Sequence, residues 1–107
     1  MATKMQVELE AISHPGRRRI LELVMDQELP TGELAILTGM SQPAASQHLR
    51  VLRDAGLVDV RADGPRRLYR VNFAGLAALR HDLDQFWGDH LEALKRATEG
   101  DDNRPSG

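Results

Sequence analysis

At 107 residues, 28% charged and 41% hydrophobic, the chain has room for one small globular domain, with a core limited enough that support from a partner subunit is expected. It has no cysteine, which excludes disulfides, thiolate metal sites and thiol chemistry. Its formal net charge of −2 gives no global nucleic-acid signature, and no leader-like N-terminus or membrane-length apolar run is visible, so a cytoplasmic protein with no membrane partner is expected.

In chain order, residues 4–13 read as a first helix with Met5, Leu9 and Ile12 on one face. Ser13-His14-Pro15 interrupts it, because the residue before a proline avoids helical geometry, and His14 suits a cap or surface position. A second helix is predicted from Pro15 to Asp26, with Ile20, Leu21, Leu23 and Val24 facing the core. Arg17, Arg18 and Arg19 fan round it, so at most one can meet a common ligand and the rest are expected to be solvated or paired with acids. Leu29-Pro30-Thr31-Gly32 reads as a turn, with Thr31 capping a third helix over 31–38 that turns Leu34, Ala35 and Leu37 inward. Gly39 closes this helix and Met40-Ser41 leads directly into the next, a helix, tight turn, helix arrangement.

The fourth helix, over 41–55, carries the chemistry. Ala45, Leu49 and Leu52 form its buried stripe, Ser41 its N-cap, Pro43 sits in the first turn where a missing donor costs little, and Gly56 stops it. The opposite side presents Pro43, Ser46, Gln47 and Arg50, edged by Gln42 and Arg53. Short amide and hydroxyl side chains can read base edges in a major groove, and arginine can reach guanine or phosphate. His48, at the edge of the stripe, reads as a half-buried imidazole bonded locally rather than a DNA contact. Alternation in Val58-Asp59-Val60-Arg61 and in the run Leu68, Tyr69, Val71 then predicts a hairpin turning at Asp63-Gly64-Pro65. Residues 41–72 hold 6 Lys/Arg against 3 Asp/Glu, whereas 1–40 hold 4 against 6 and 73–107 hold 4 against 7. Only this middle segment is net positive, and the arginines at the hairpin are better explained by a phosphate backbone than by packing.

Asn72 is the predicted N-cap of a long last helix, about 73–97, whose apolar set Leu76, Leu79, Leu83, Phe86, Trp87, Leu91 and Leu94 is too broad for one small core and reads as a subunit interface. The polar residues from 98 to 107 are expected to form a disordered tail.

The sequence HLRVLRDAGLV followed by RADGPRRLYRV, with SHPGRRRILELV upstream and GELAILTGMSQPAASQHL between, resembles the ArsR/SmtB family of winged helix-turn-helix repressors over about residues 5 to 97. The resemblance implies a mostly α fold of about five helices and a two-stranded wing, dimerising through the first and last helices. It implies a homodimeric repressor of double-stranded DNA, binding an imperfect palindrome in a promoter, its own included. Thr31, Ser41, Gln42, Pro43, Ser46, Gln47, Arg50, Arg53, Arg66 and Arg67 are the DNA-binding candidates; Met5, Leu9, Leu83, Phe86, Trp87 and Leu91 are the dimer candidates.

The family's sensing sites are not matched. Pro30 and Gly32 stand where arsenic-sensing members carry cysteines, and Ala93 stands where the last-helix metal pattern wants its final ligand. No cofactor is expected. The alternatives are a zinc or nickel site shared between subunits, from His81, Asp84 and His90, an unidentified small-molecule effector, or a protein-only dimerisation module. An enzyme is not expected: Ser46 and His48 sit two apart on a helix and point in different directions, and no phosphate-binding glycine loop is present.

Overall fold

The computed structural model describes residues 2–100. Its elements run α1 (Lys4–Ala11), α2 (Pro15–Leu23), β1 (Leu29–Pro30), α3 (Thr31–Thr38), α4 (Gln42–Asp54), β2 (Val58–Asp63), β3 (Arg66–Val71) and α5 (Phe73–Gly100). The helical winged architecture implied by the sequence is the one observed, with a third strand added to the wing.

Local chemistry sets the helix starts. Thr3 and Gln6 cap α1 reciprocally, the Gln6 N–H donating to Thr3 Oγ1 at 3.1 Å and the Thr3 N–H to Gln6 Oε1 at 2.8 Å. The helix ends at Ala11, short of residue 13, because the chain must extend at His14 before Pro15. His14 then caps α2, its Nδ1 accepting from the Gly16 N–H at 2.9 Å. α2 ends at Leu23 rather than Asp26, and the Val24 carbonyl accepts from the Val71 N–H of β3 at 3.0 Å instead of continuing the helix.

The expected turn at 29–32 is a correction. Leu29 and Pro30 pair antiparallel with Tyr69 and Leu68, giving a three-stranded sheet in the order β1-β3-β2. Arriving in extended geometry, Pro30 becomes the N-cap of α3 without a side-chain bond, so Thr31 is the first helical residue and not the cap. Leu34 and Ala35 are buried as expected, but Leu37 is 51% exposed and Ile36 80%. The inward side of α3 runs from Leu34 to Thr38, four residues on, whose hydroxyl donates to the Leu34 carbonyl at 2.6 Å.

The core gathers Ile20 and Val24 from α2, Leu34 from α3, Leu49 and Leu52 from α4, and Leu57, Val58 and Val71 from the sheet region, with Leu79 of α5 closing it. Full burial of each large aliphatic side chain is worth roughly 1.5–3 kcal/mol. One polar residue interrupts the apolar interior: Glu8 is 1% exposed, and neither carboxylate oxygen has a hydrogen-bond partner among the described residues. Such a group opposes folding and is tolerated through the packing around it.

Asn72 caps α5 as predicted, its Oδ1 accepting from the Gly75 N–H at 2.9 Å while its own N–H donates to the Leu57 carbonyl at 2.9 Å. Here α5 crosses the end of α4 so closely that a Cβ on Gly75 would collide with the Gly56 carbonyl oxygen. The helix continues to Gly100, past the expected end at 97. Residues 98–100 are therefore helical, and the rest of the expected tail, 101–107, lies outside the described residues.

Candidate nucleic-acid interface

α4 has the cap and stripe its sequence requires. Ser41 Oγ accepts from the Ala44 N–H at 3.2 Å, Ala45, Leu49 and Leu52 are fully buried, and Gly56 follows the helix with a φ of +76°. Gln42, Pro43, Ser46, Gln47, Arg50 and Arg53 are all exposed, as is Ser41 at the cap. The side predicted to face a ligand is thus open along the whole helix.

The hairpin turns through two residues, Gly64 and Pro65, between the paired Asp63 and Arg66. Gly64 has a φ of +60° and the proline ring fixes a negative φ at the next position, which is the type II′ pattern of a tight hairpin. Register then divides the wing arginines between its faces, because directly opposed residues share one. Asp59 opposes Arg70, Arg61 opposes Leu68 and Asp63 opposes Arg66 on one face, while Val60 opposes Tyr69 and Ala62 opposes Arg67 on the other. On the first face charge is largely balanced. Arg66 pairs with Asp63 at 3.0 Å, and Arg61 donates two hydrogen bonds to Glu28, at 2.6 and 2.9 Å. The Arg61 hydrogen bond holds the Glu28 carboxyl below its ordinary range, and Glu28 in turn raises Arg61.

The second face turns Arg67 and Tyr69 toward α4. A cleft of about 510 Å³ opens there, floored by Leu49 and walled by Thr31 from α3, Ser46, Arg50, Arg53 and Asp54 from α4, and Arg67 and Tyr69 from β3. Arg53 and Arg67 also line a smaller cleft of about 200 Å³ under the wing, with Val60, Arg61 and Ala62. Among the described residues no ion pair within 4.0 Å involves Arg50, Arg53 or Arg67. Five of the predicted residues, Thr31, Ser46, Arg50, Arg53 and Arg67, therefore meet at one cleft. Ser41, Gln42, Pro43 and Gln47 lie on the exposed helix beside it, and Arg66 lies at the wing tip in its pair with Asp63. Tyr69 and Asp54 were not among the candidates; Tyr69 shares strand parity with Arg67, a signal present in the sequence.

The three arginines of α2 are used structurally. Arg17 donates to the Ala11 carbonyl at 2.7 Å and the Glu10 carbonyl at 3.1 Å, Arg18 to the Ile12 carbonyl at 2.6 Å, and Arg19 pairs with Glu22 at 3.2 Å. The first two satisfy the Ala11 and Ile12 carbonyls left open at the end of α1, while the Glu10 carbonyl also accepts from the Ser13 N–H and hydroxyl. His48 is half-buried as expected, its Nδ1 3.3 Å from Arg17 Nη1 and its ring 4.5 Å from that of His14. Burial first, then the His14 and Arg17 charges, lower its pKa below the ordinary imidazole value.

Away from these residues, Met5 and Leu9 of α1 and Leu83, Phe86 and Trp87 of α5 line one apolar groove of about 580 Å³. Leu91 lies further along α5 and is 59% exposed. His81, Asp84 and His90 are exposed on α5, and among the described residues no group of three or more His, Asp or Glu is placed to hold a metal ion within one chain.

The pattern of the bacterial regulatory protein, arsR family, matches residues 14–60, from the cap of α2 through α4 into β2. An HTH-type transcriptional regulator of Mycobacterium tuberculosis is 45% identical over 95 residues, 87% of this chain and 89% of that protein. The chain belongs to the arsR family of bacterial regulatory proteins. Solved arsR-type structures superpose on it: one described as a possible transcriptional regulator for arsenical resistance has a TM-score of 0.70 at 44% identity, covering 84% of this chain and 94% of that one. Another, the homodimeric winged helix-turn-helix DNA-binding domain of a possible ArsR-family regulator from Mycobacterium bovis, has a TM-score of 0.64 at 34% identity, covering 84% and 83%. The family is one of transcriptional regulators and not of enzymes, in agreement with the sequence reading. No described helix is long and apolar enough to cross a membrane.

Proposed function

We propose that the chain is a homodimeric repressor that binds an imperfect palindrome in promoter DNA and occludes it. The observation that carries this reading is the cleft between α4 and the wing. Arg50, Arg53 and Arg67 converge there without acid partners within ion-pair distance, beside an exposed face of Gln42, Ser46 and Gln47. Three cations free of ion pairs on a concave surface suit consecutive phosphates, and the neighbouring amides and hydroxyl suit base edges. Arg50 holds a phosphate or a guanine, and Thr31 adds a hydroxyl donor to the backbone contacts.

The homodimer is supported by the α1–α5 groove, which gathers Met5, Leu9, Leu83, Phe86 and Trp87, and by the homodimeric relative from Mycobacterium bovis. A two-fold pair sets two copies of α4 about one helical turn apart, matching two half-sites. The arsenical association of one relative does not carry over, since thiolate ligands are absent. Control rests on protein level through autorepression, or on a small molecule at the dimer interface, and the setting is the cytoplasm where the DNA is. Footprinting on the DNA upstream of the protein's own gene tests the reading. Two protected half-sites about 10 base pairs apart support it, and uniform or absent protection contradicts it.

A further inference from the structure

Resting on the DNA-binding reading, we infer that Asp54 is an affinity-limiting residue of the phosphate cleft: its carboxylate opposes the DNA backbone and holds binding to every duplex below what the three arginines would give. Asp54 is the last residue of α4 and lines the same cleft as Arg50, Arg53 and Arg67. It is exposed, and among the described residues its side chain makes no hydrogen bond and no ion pair within 4.0 Å. That sets it apart from the acids nearest the wing. Glu28 is bonded to Arg61, Asp63 to Arg66, and Asp59 accepts from Asn72 at 3.1 Å.

The fold does not call for a carboxylate at this position. α4 is closed by backbone bonds alone, the Gly56 N–H donating to the Arg53 carbonyl at 2.9 Å and the Leu57 N–H to the Leu52 carbonyl at 2.9 Å. A negative charge in a last turn also faces the negative end of the helix dipole, where a cation is favoured. Asp54 therefore gains nothing from the helix dipole and is repulsive to the ligand the cleft suits. Its effect on DNA is sequence-independent, because bases are read from the N-terminal half of a recognition helix while position 54 ends α4. Weaker binding to all duplexes leaves the operator-to-random ratio intact and shortens the time spent on non-specific sites.

The test is DNA affinity of the full chain for an upstream operator duplex and a random duplex, across a salt series, for wild type, Asp54→Asn and Asp54→Ala. Asp26→Asn, which makes the same change in net charge outside the cleft, is the control, and thermal melting verifies that each variant folds. Both Asp54 variants are expected to tighten both duplexes by the same factor, about threefold to tenfold at low salt and less as salt screens the repulsion. Unchanged or weakened affinity, or equal tightening by Asp26→Asn, overturns the inference while leaving the DNA reading in place. A wild-type protein that binds neither duplex overturns both.

Discussion

The Arg61 guanidinium reaches from β2 to the Glu28 carboxylate through bonds of 2.6 and 2.9 Å, fastening the wing to the segment before β1. Arg67, on the other face of the same hairpin, is the wing cation that lines the larger cleft with Arg50 and Arg53 of α4. Arg67→Ala is expected to weaken binding to all sequences and lower the slope of log affinity against log salt by about 1. Arg61→Ala is expected to leave that slope nearly unchanged. A salt titration of both variants checks this; equal loss of slope would mean that Arg61 releases Glu28 and contacts DNA.

Gly75 has no room for a side chain, because a Cβ would meet the Gly56 carbonyl oxygen, a backbone atom that cannot swing aside. Gly75→Ala is expected to cost at least about 1–3 kcal/mol and to separate α5 from the end of α4. At Gly32 an added Cβ meets nothing within 4 Å, so Gly32→Ala is expected to stabilise by roughly 0.5–1 kcal/mol. Urea denaturation of the two variants gives the comparison.

His48 binds a proton less readily in the folded chain than in the unfolded one, since burial and the His14 and Arg17 charges oppose its cation. As pH falls through about 6.5, the unfolded chain takes up protons that the folded chain resists, so stability declines from there down to the lower folded value. Above that window the term vanishes. Denaturation midpoints of wild type and His48→Asn between pH 7.5 and pH 5.5 are expected to differ in slope, with the acid decline shallower in the variant.

Leu83 and Trp87 share the apolar groove with Met5 and Leu9. Replacing both with Asp is expected to give a monomer or an unfolded chain, with half-site binding too weak to repress. Light scattering at micromolar concentration reads this directly, and a folded wild-type monomer there would sink the dimeric reading.

Much of this architecture is legible in the sequence because it is local. The buried stripe Ala45, Leu49, Leu52, the caps Ser41 and Asn72 and the turn at Gly64 depend on neighbours a few residues away, and each stands where spacing puts it. β1 was not legible: two residues carry no period, and Leu29 and Pro30 become a strand only through Tyr69 and Leu68, far along the chain. That strand also moved the cap of α3 from Thr31 to Pro30. Likewise the partners of Arg17 and Arg18 are carbonyls at the end of another helix, and the division of the wing arginines depends on register rather than composition.

The most direct test of the central claim is the affinity of the wild-type chain for its upstream DNA and for random duplex over a salt series, repeated with Arg50→Ala and Gln42→Ala. Steep loss of affinity with salt is predicted, with a loss of roughly 1–3 kcal/mol for Arg50→Ala and reduced discrimination for Gln42→Ala. Salt-independent binding, or both variants binding as wild type does, would contradict the account.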